Sequence, residues 1–151
     1  MPYTLSKRST DALIGVEPRL VRVVKRAITH TTQDFVVIQG VRTKEQMWEN
    51  YGKGRTVAQC AAKGVPAIYA KPALRKVTFL NNPLASNHRV HADGFGHAVD
   101  IVPFPVDWDT EKKFADIAAA MKRAAHLEGV KIAWGGDWTG GIRDLPHFEL
   151  I

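Results

Sequence analysis

Helical and strand-like patterns are mixed along these 151 residues without regular alternation, and that irregularity constrains the fold most. A regular strand–helix repeat would demand a parallel sheet covered on both faces. A few short strands among unevenly spaced helices argue instead for an α+β chain with a small antiparallel sheet flanked by helices. From Glu17, the residues Leu20, Val21, Val23, Val24, Ala27 and Ile28 recur at helical spacing, with Arg19, Arg22, Lys25 and Arg26 on the other face. Glu17-Pro18 opens this helix well, because proline suits the first turn. Phe35-Val36-Val37-Ile38 is a buried strand, and Thr43 caps a helix running through Met47, Trp48 and Tyr51. A strand over residues 98–102 precedes a second clear helix that starts near Trp108 and carries Phe114, Ile117, Ala118, Met121 and Ala125 on one face. Gly129 ends it. Strands over 130–134 and 144–151 close the chain. Residues 1–12 are polar and expected to be extended until Ser9 or Asp11. Gly52-Lys53-Gly54-Arg55-Thr56 is expected to be a mobile loop, and 77–80 a strand edge or the last turn of a helix.

At this length one domain with a real core is expected, a single catalytic domain over 1–151 with no separate wall-binding module. The net charge of +6 favours a polyanionic partner, whether nucleic acid, anionic lipid or an anionic bacterial envelope. The basic residues of the first helix read most simply as a solvated face. Cys60 is the only cysteine, which excludes an intramolecular disulfide and a Cys-based zinc site. Its alanine neighbours mark it as a packed small residue. The N-terminus shows no apolar signal core and no stretch approaches a membrane span, so synthesis in the cytosol without a leader is expected. The glycines around Lys53 do not form a phosphate loop, since neither spacing nor strand-to-helix context fits.

Chemistry concentrates in Ser-Asn-His-Arg-Val-His-Ala-Asp-Gly-Phe-Gly-His-Ala-Val-Asp, residues 86–100, and in Asp144-Leu145-Pro146-His147. Imidazole and carboxylate are the ligands a catalytic zinc takes when one position stays open for water. His88, Asp100 and His147 can be brought together by a strand–loop–strand and the C-terminal strand, with His91 and His97 competing for the place of His88. Asp144 is the natural general base, since Pro146 fixes the geometry between it and His147. His30 and His126 stand near helix C-termini, where a cation is favourable, and are expected to be structural.

Ser86-x-His88, Gly96-x-Ala98-x-Asp100 and Asp144-x-x-His147 resemble the zinc-site signature of the D-Ala-D-Ala carboxypeptidase and L-alanyl-D-glutamate peptidase family. Gly40-Val41-Arg42-Thr43 with Gln46, then Gly54-Arg55-Thr56, resembles the upstream motif of that family's phage endolysin branch. Trp134-Gly135-Gly136-Asp137-Trp138 and Asp144-Leu145-Pro146-His147-Phe148-Glu149 resemble its ending. The resemblance covers residues 9 to 150 in the family's order. One departure is the spacing: the family places two residues between the histidine and the first glycine, whereas His88 and Gly96 enclose seven. Residues 89–95 are therefore read as containing an insertion of about five residues, which loops tolerate. His88 remains the ligand, with His91 the alternative. Asp93, at the uncorrected position, is a poor substitute for an imidazole.

The resemblance implies a hedgehog/D-Ala-D-Ala-peptidase-like zinc fold, with zinc held by His88, Asp100 and His147 and Asp144 as catalytic base. Arg42 would stabilise the tetrahedral oxyanion with its fixed planar charge. Ser86 would orient the site, and Gln46, Trp134 and Trp138 would line the cleft. Asp137 is a weaker alternative base. The implied activity is hydrolysis of the L-Ala–D-Glu bond of peptidoglycan for host lysis, after holin-type release of a monomeric enzyme. The basic surface would supply attraction to the envelope, and nucleic acid is not the expected partner. The rivals are a D-Ala-D-Ala carboxypeptidase or dipeptidase on the same scaffold, and a non-enzymatic basic module that binds cell wall or nucleic acid.

Overall fold

The computed structural model describes residues 2–151. Helices α1 (Lys7–Ala12) and α2 (Pro18–His30) lead into strand β1 (Phe35–Gln39). A long excursion then carries α3 (Lys44–Gly52), α4 (Val57–Ala61) and a 3-10 turn over Ala67–Tyr69 before β2 (Ala98–Pro103). Helix α5 (Glu111–Glu128), strand β3 (Ile132–Trp134), a 3-10 turn over Gly135–Asp137 and strand β4 (His147–Leu150) complete the chain. Among the described residues, four strands form one sheet in the order β1-β2-β4-β3, every neighbouring pair antiparallel. This is the α+β architecture expected of the irregular pattern. No described helix is long and apolar enough to cross a membrane.

Helices α2 and α5 pack against one face of the sheet. Leu20, Val23, Val24, Ala27 and Ile28 of α2 meet Ile117, Met121, Ala124 and Ala125 of α5 over Val37, Val99, Ile101 and Phe148. Most of these side chains are fully buried, and each full burial of a Val, Leu, Ile, Phe or Met contributes about 1.5–3 kcal/mol. Glu17 caps α2 through a carboxylate that accepts from the Arg19 N–H, and Gly129 closes α5 in the left-handed conformation at φ 66°. The basic face of α2 is largely paired: Arg22 and Arg26 both reach Glu128, and Arg19 reaches Glu17.

Three local expectations are corrected. Residues 7–12 are helical rather than extended. Ser6 caps α1 by accepting from the Ser9 N–H, and the fully buried Ser9 hydroxyl accepts from the Val37 N–H at 2.9 Å. A polar residue in the core therefore ties α1 to β1, which no hydrophobic period reveals. The 52–56 segment is not a free loop, because Gly52 and Gly54 exchange backbone hydrogen bonds with Lys71 and Thr56 starts α4 with a capping box to Gln59. Residues 77–80 are neither strand nor helix, and the Thr78 carbonyl accepts from Arg55. Buried Arg55 also donates to the Tyr51 carbonyl and lies over the Tyr51 ring. It thereby pins the excursion around the small core of Tyr51, Cys60 and Val65.

Candidate metal centre

Strands β2 and β4 bring two of the three candidate ligands together. Their register sets Asp100 opposite His147. Alternation along each strand sends Val99, Ile101 and Phe148 to the helices and leaves Asp100 and His147 on the other face. Asp100 Oδ1 lies 3.4 Å from His147 Nδ1.

His88 arrives from the excursion, 1% exposed. Its Nδ1–H donates to the Gly40 carbonyl at 2.7 Å, so Nε2 carries the free lone pair and faces Asp100 Oδ1 at 3.2 Å. Gly40 can supply that carbonyl because it is glycine; a Cβ there would run into the Ala12 carbonyl and Val16. The backbone of His88 is held as well, its N–H by Ser86 Oγ at 3.2 Å and its carbonyl by the Arg42 N–H at 2.8 Å. His147 is oriented in the same way. Its Nε2–H donates to Glu149 Oε1 at 3.0 Å, and Asn87 donates to the other oxygen of Glu149.

One ligand atom from each of His88, Asp100 and His147 lies within 4.8 Å of the other two, so this buried group could hold a metal ion. His88 Nε2 and Asp100 Oδ1 are buried with no hydrogen-bond partner among the described residues. Buried polar atoms normally find partners, and two bare lone pairs turned toward each other are what a cation would satisfy. Burial pushes the Asp100 carboxyl up, but His147 and His88 beside it overcome this and hold it well below the ordinary range. Burial pushes His147 down, yet Asp100 and Glu149 raise it to about 9.

A cleft of about 940 Å³ opens above the group, with Arg42, Ser86, Asp144, Pro146 and Trp138 in its lining. Burial, then the negative charge of Asp100, raises the Asp144 carboxyl above its ordinary value. Asp144 is placed by its backbone: its N–H donates to the Gly135 carbonyl at 3.0 Å, and its carbonyl accepts from the His147 N–H at 3.1 Å. A Cβ on Gly135 would collide with the Asp144 carbonyl, so only glycine permits this approach. Arg42 reaches Asp100 Oδ2 at 3.4 Å and Ser86 Oγ at 3.5 Å. Trp138 sits at the rim, its ring 5.2 Å from that of His147.

Other candidates stand elsewhere. His91 and His97 stack on each other at 3.7 Å, with His97 bonded to Asp93 and His91 near the Asn87 carbonyl. Residues 89–95 form a loop closed by an antiparallel bridge between Val90 and Gly96. Gln46 is outside the cleft lining, its side-chain Oε1 accepting from the Thr43 N–H in the α3 capping box. Trp134 is a core plug, donating to the Leu145 carbonyl and stacking with Phe148. Asp137 pairs with Lys122 at 2.6 Å on the surface. Glu149, Asn87 and the Gly40 carbonyl were not among the expected site groups. Only Glu149 carried a signal, two residues beyond His147 and therefore on the same face of a strand.

A His-Asp-His group at the floor of an open cleft, beside a raised carboxyl and a guanidinium, is the class of site found in metal-dependent hydrolases. The chain belongs to the phage L-alanyl-D-glutamate peptidase family, whose model matches residues 1–151, and it is a peptidase by that membership. It is 26% identical over 164 residues to an L-alanyl-D-glutamate peptidase of Escherichia phage T5, covering all of both chains. The crystal structure of the Serratia marcescens L-Ala D-Glu endopeptidase ChiX superimposes with a TM-score of 0.67 at 31% identity. That match covers 99% of this chain and 91% of ChiX.

Proposed function

We propose that this chain is a zinc-dependent endolysin that hydrolyses the L-Ala–D-Glu bond of peptidoglycan stem peptides. Family membership supports the substrate class, and the orphaned Nε2 of His88 facing Oδ1 of Asp100 carries the metal assignment. Two imidazoles and one carboxylate are a donor set that suits zinc with one position left open. When bound, zinc would polarise the scissile carbonyl and make water nucleophilic near neutral pH.

The chain's own residues divide the remaining work. Asp144, in the cleft with its carboxyl raised, accepts the proton of the attacking water and passes it to the leaving amine. Arg42 faces the developing oxyanion with a charge that cannot be lost, oriented by Asp100 and Ser86. Glu149 and Gly40 keep the imidazole lone pairs aimed into the site. Trp138 forms part of the wall against which the peptide lies. In this reading residues 1–151 act as one monomeric catalytic unit, made in the host cytosol and reaching the wall through a holin-type lesion.

Mass spectrometry of fragments released from purified peptidoglycan, with and without chelator, tests the proposal. New N-terminal D-Glu that disappears on chelation is expected. Free D-alanine would point to the carboxypeptidase activity of the wider family, and release indifferent to chelator would remove the metal from the reaction.

A further inference from the structure

Between Glu49 and Asp93 the chain carries seven Lys or Arg and no Asp or Glu, so its net charge of +6 resides in the excursion joining β1 to β2. That excursion supplies Val77, Thr78, Phe79 and Leu80 to one wall of the cleft, and Lys53 at the end of α3 lines the cleft beside them. Three Lys or Arg side chains line this cleft, and two are already engaged. Arg42 contacts Asp100, and Arg143 pairs with Glu111 at 2.7 Å. Lys53 is half-buried and makes no ion pair among the described residues, not even with Glu49 one turn earlier on α3.

The backbone beneath Lys53 is fixed. Gly54 N–H donates to the Lys71 carbonyl at 2.8 Å and Lys71 N–H donates to the Gly52 carbonyl at 2.9 Å. A cation held partly out of water without a counter-ion loses hydration, and an entering carboxylate restores the interaction. At the floor of the cleft the charged side chains are already matched, Arg42 against Asp100 and His147 against Glu149, so the unpaired Lys53 on the excursion side is the side-chain cation left for a substrate carboxylate.

We propose that Lys53 binds a carboxylate of the substrate peptide and so makes the enzyme selective for anionic stem peptides. This rests on the peptidase reading above, in which D-Glu keeps one free carboxylate beside the scissile bond and the peptide ends in another. The test uses the full metal-loaded chain and a stem-type peptide with only those two carboxylates. It is assayed as the free acid, amidated on D-Glu, and amidated at the C-terminus. Lys53→Met should raise KM for the free acid about tenfold with kcat little changed, the size of one charge-assisted hydrogen bond. It should have no effect on KM for the one amidated peptide that lacks the recognised carboxylate, which identifies the carboxylate. Lys53→Arg should retain most of the affinity. An equal loss on all three peptides, or no loss on any, would overturn the proposal. Fragment masses report the bond cleaved independently, so an error in the bond assignment is distinguishable from an error about Lys53.

Discussion

His88 enters the site with its tautomer chosen, because its Nδ1–H is bonded to the Gly40 carbonyl, and His147 is held in the same way by Glu149. These outer groups act on the metal only through the imidazoles, so their loss should weaken metal binding without removing a ligand. Glu149→Gln is expected to lower zinc affinity by about 10- to 100-fold in a competitive chelator titration while the circular dichroism spectrum is retained. Unchanged affinity would assign Glu149 to structure alone. At this scale the group His88, Asp100 and His147 that the structure brings together was legible in the sequence because imidazole and carboxylate advertise their chemistry. The Gly40 carbonyl was not, because every residue has one and only the fold selects it. Gln46 misled for the opposite reason: a polar side chain in a family motif does its work closing a helix cap.

The elements that carry the site are held by their ends as much as by their faces. Thr110 precedes α5 but makes no side-chain cap, and Asp107 instead holds the turn that leads into the helix. Its carboxylate accepts from the N–H groups of Asp109 and Thr110 and from the Thr110 hydroxyl, and pairs with Lys113 at 3.0 Å. These bonds, the Thr110 hydroxyl foremost, hold the Asp107 carboxyl well below its ordinary value of 3.8. A depressed folded-state pKa contributes stability that is fully present above the unfolded value and is lost as pH falls through the folded one. Asp107→Asn should therefore lower Tm at neutral pH, and the gap from wild type should narrow below about pH 4. A gap constant across that range would contradict this role for Asp107. The long helices and all four strands were legible from residue pattern and from Pro18 and Gly129. Helix α1 was not, because its decisive contact is the buried hydroxyl of Ser9 on β1, a polar group that hydrophobic patterning reads as surface.

Across the whole molecule, the sheet divides labour between its faces. One face packs α2 and α5 and fixes the register of β2 against β4. The other uses that register to hold Asp100 and His147, while the excursion folds His88 and the cationic wall over them. The class of fold followed from the irregular order of elements, but the convergence of residues 88, 100 and 147 is a tertiary fact, set by strand pairing across nearly fifty residues of sequence. Metal retention and catalysis are separable in the proposed mechanism, because the proposed base Asp144 is not one of the proposed ligands His88, Asp100 and His147. Elemental analysis of dialysed protein, paired with peptidoglycan hydrolysis, tests this most directly. The wild type should hold one zinc per chain. Asp144→Ala should keep that zinc and lose hydrolysis, and His147→Ala should lose both. Full zinc in His147→Ala, or full hydrolysis by Asp144→Ala, would contradict the account.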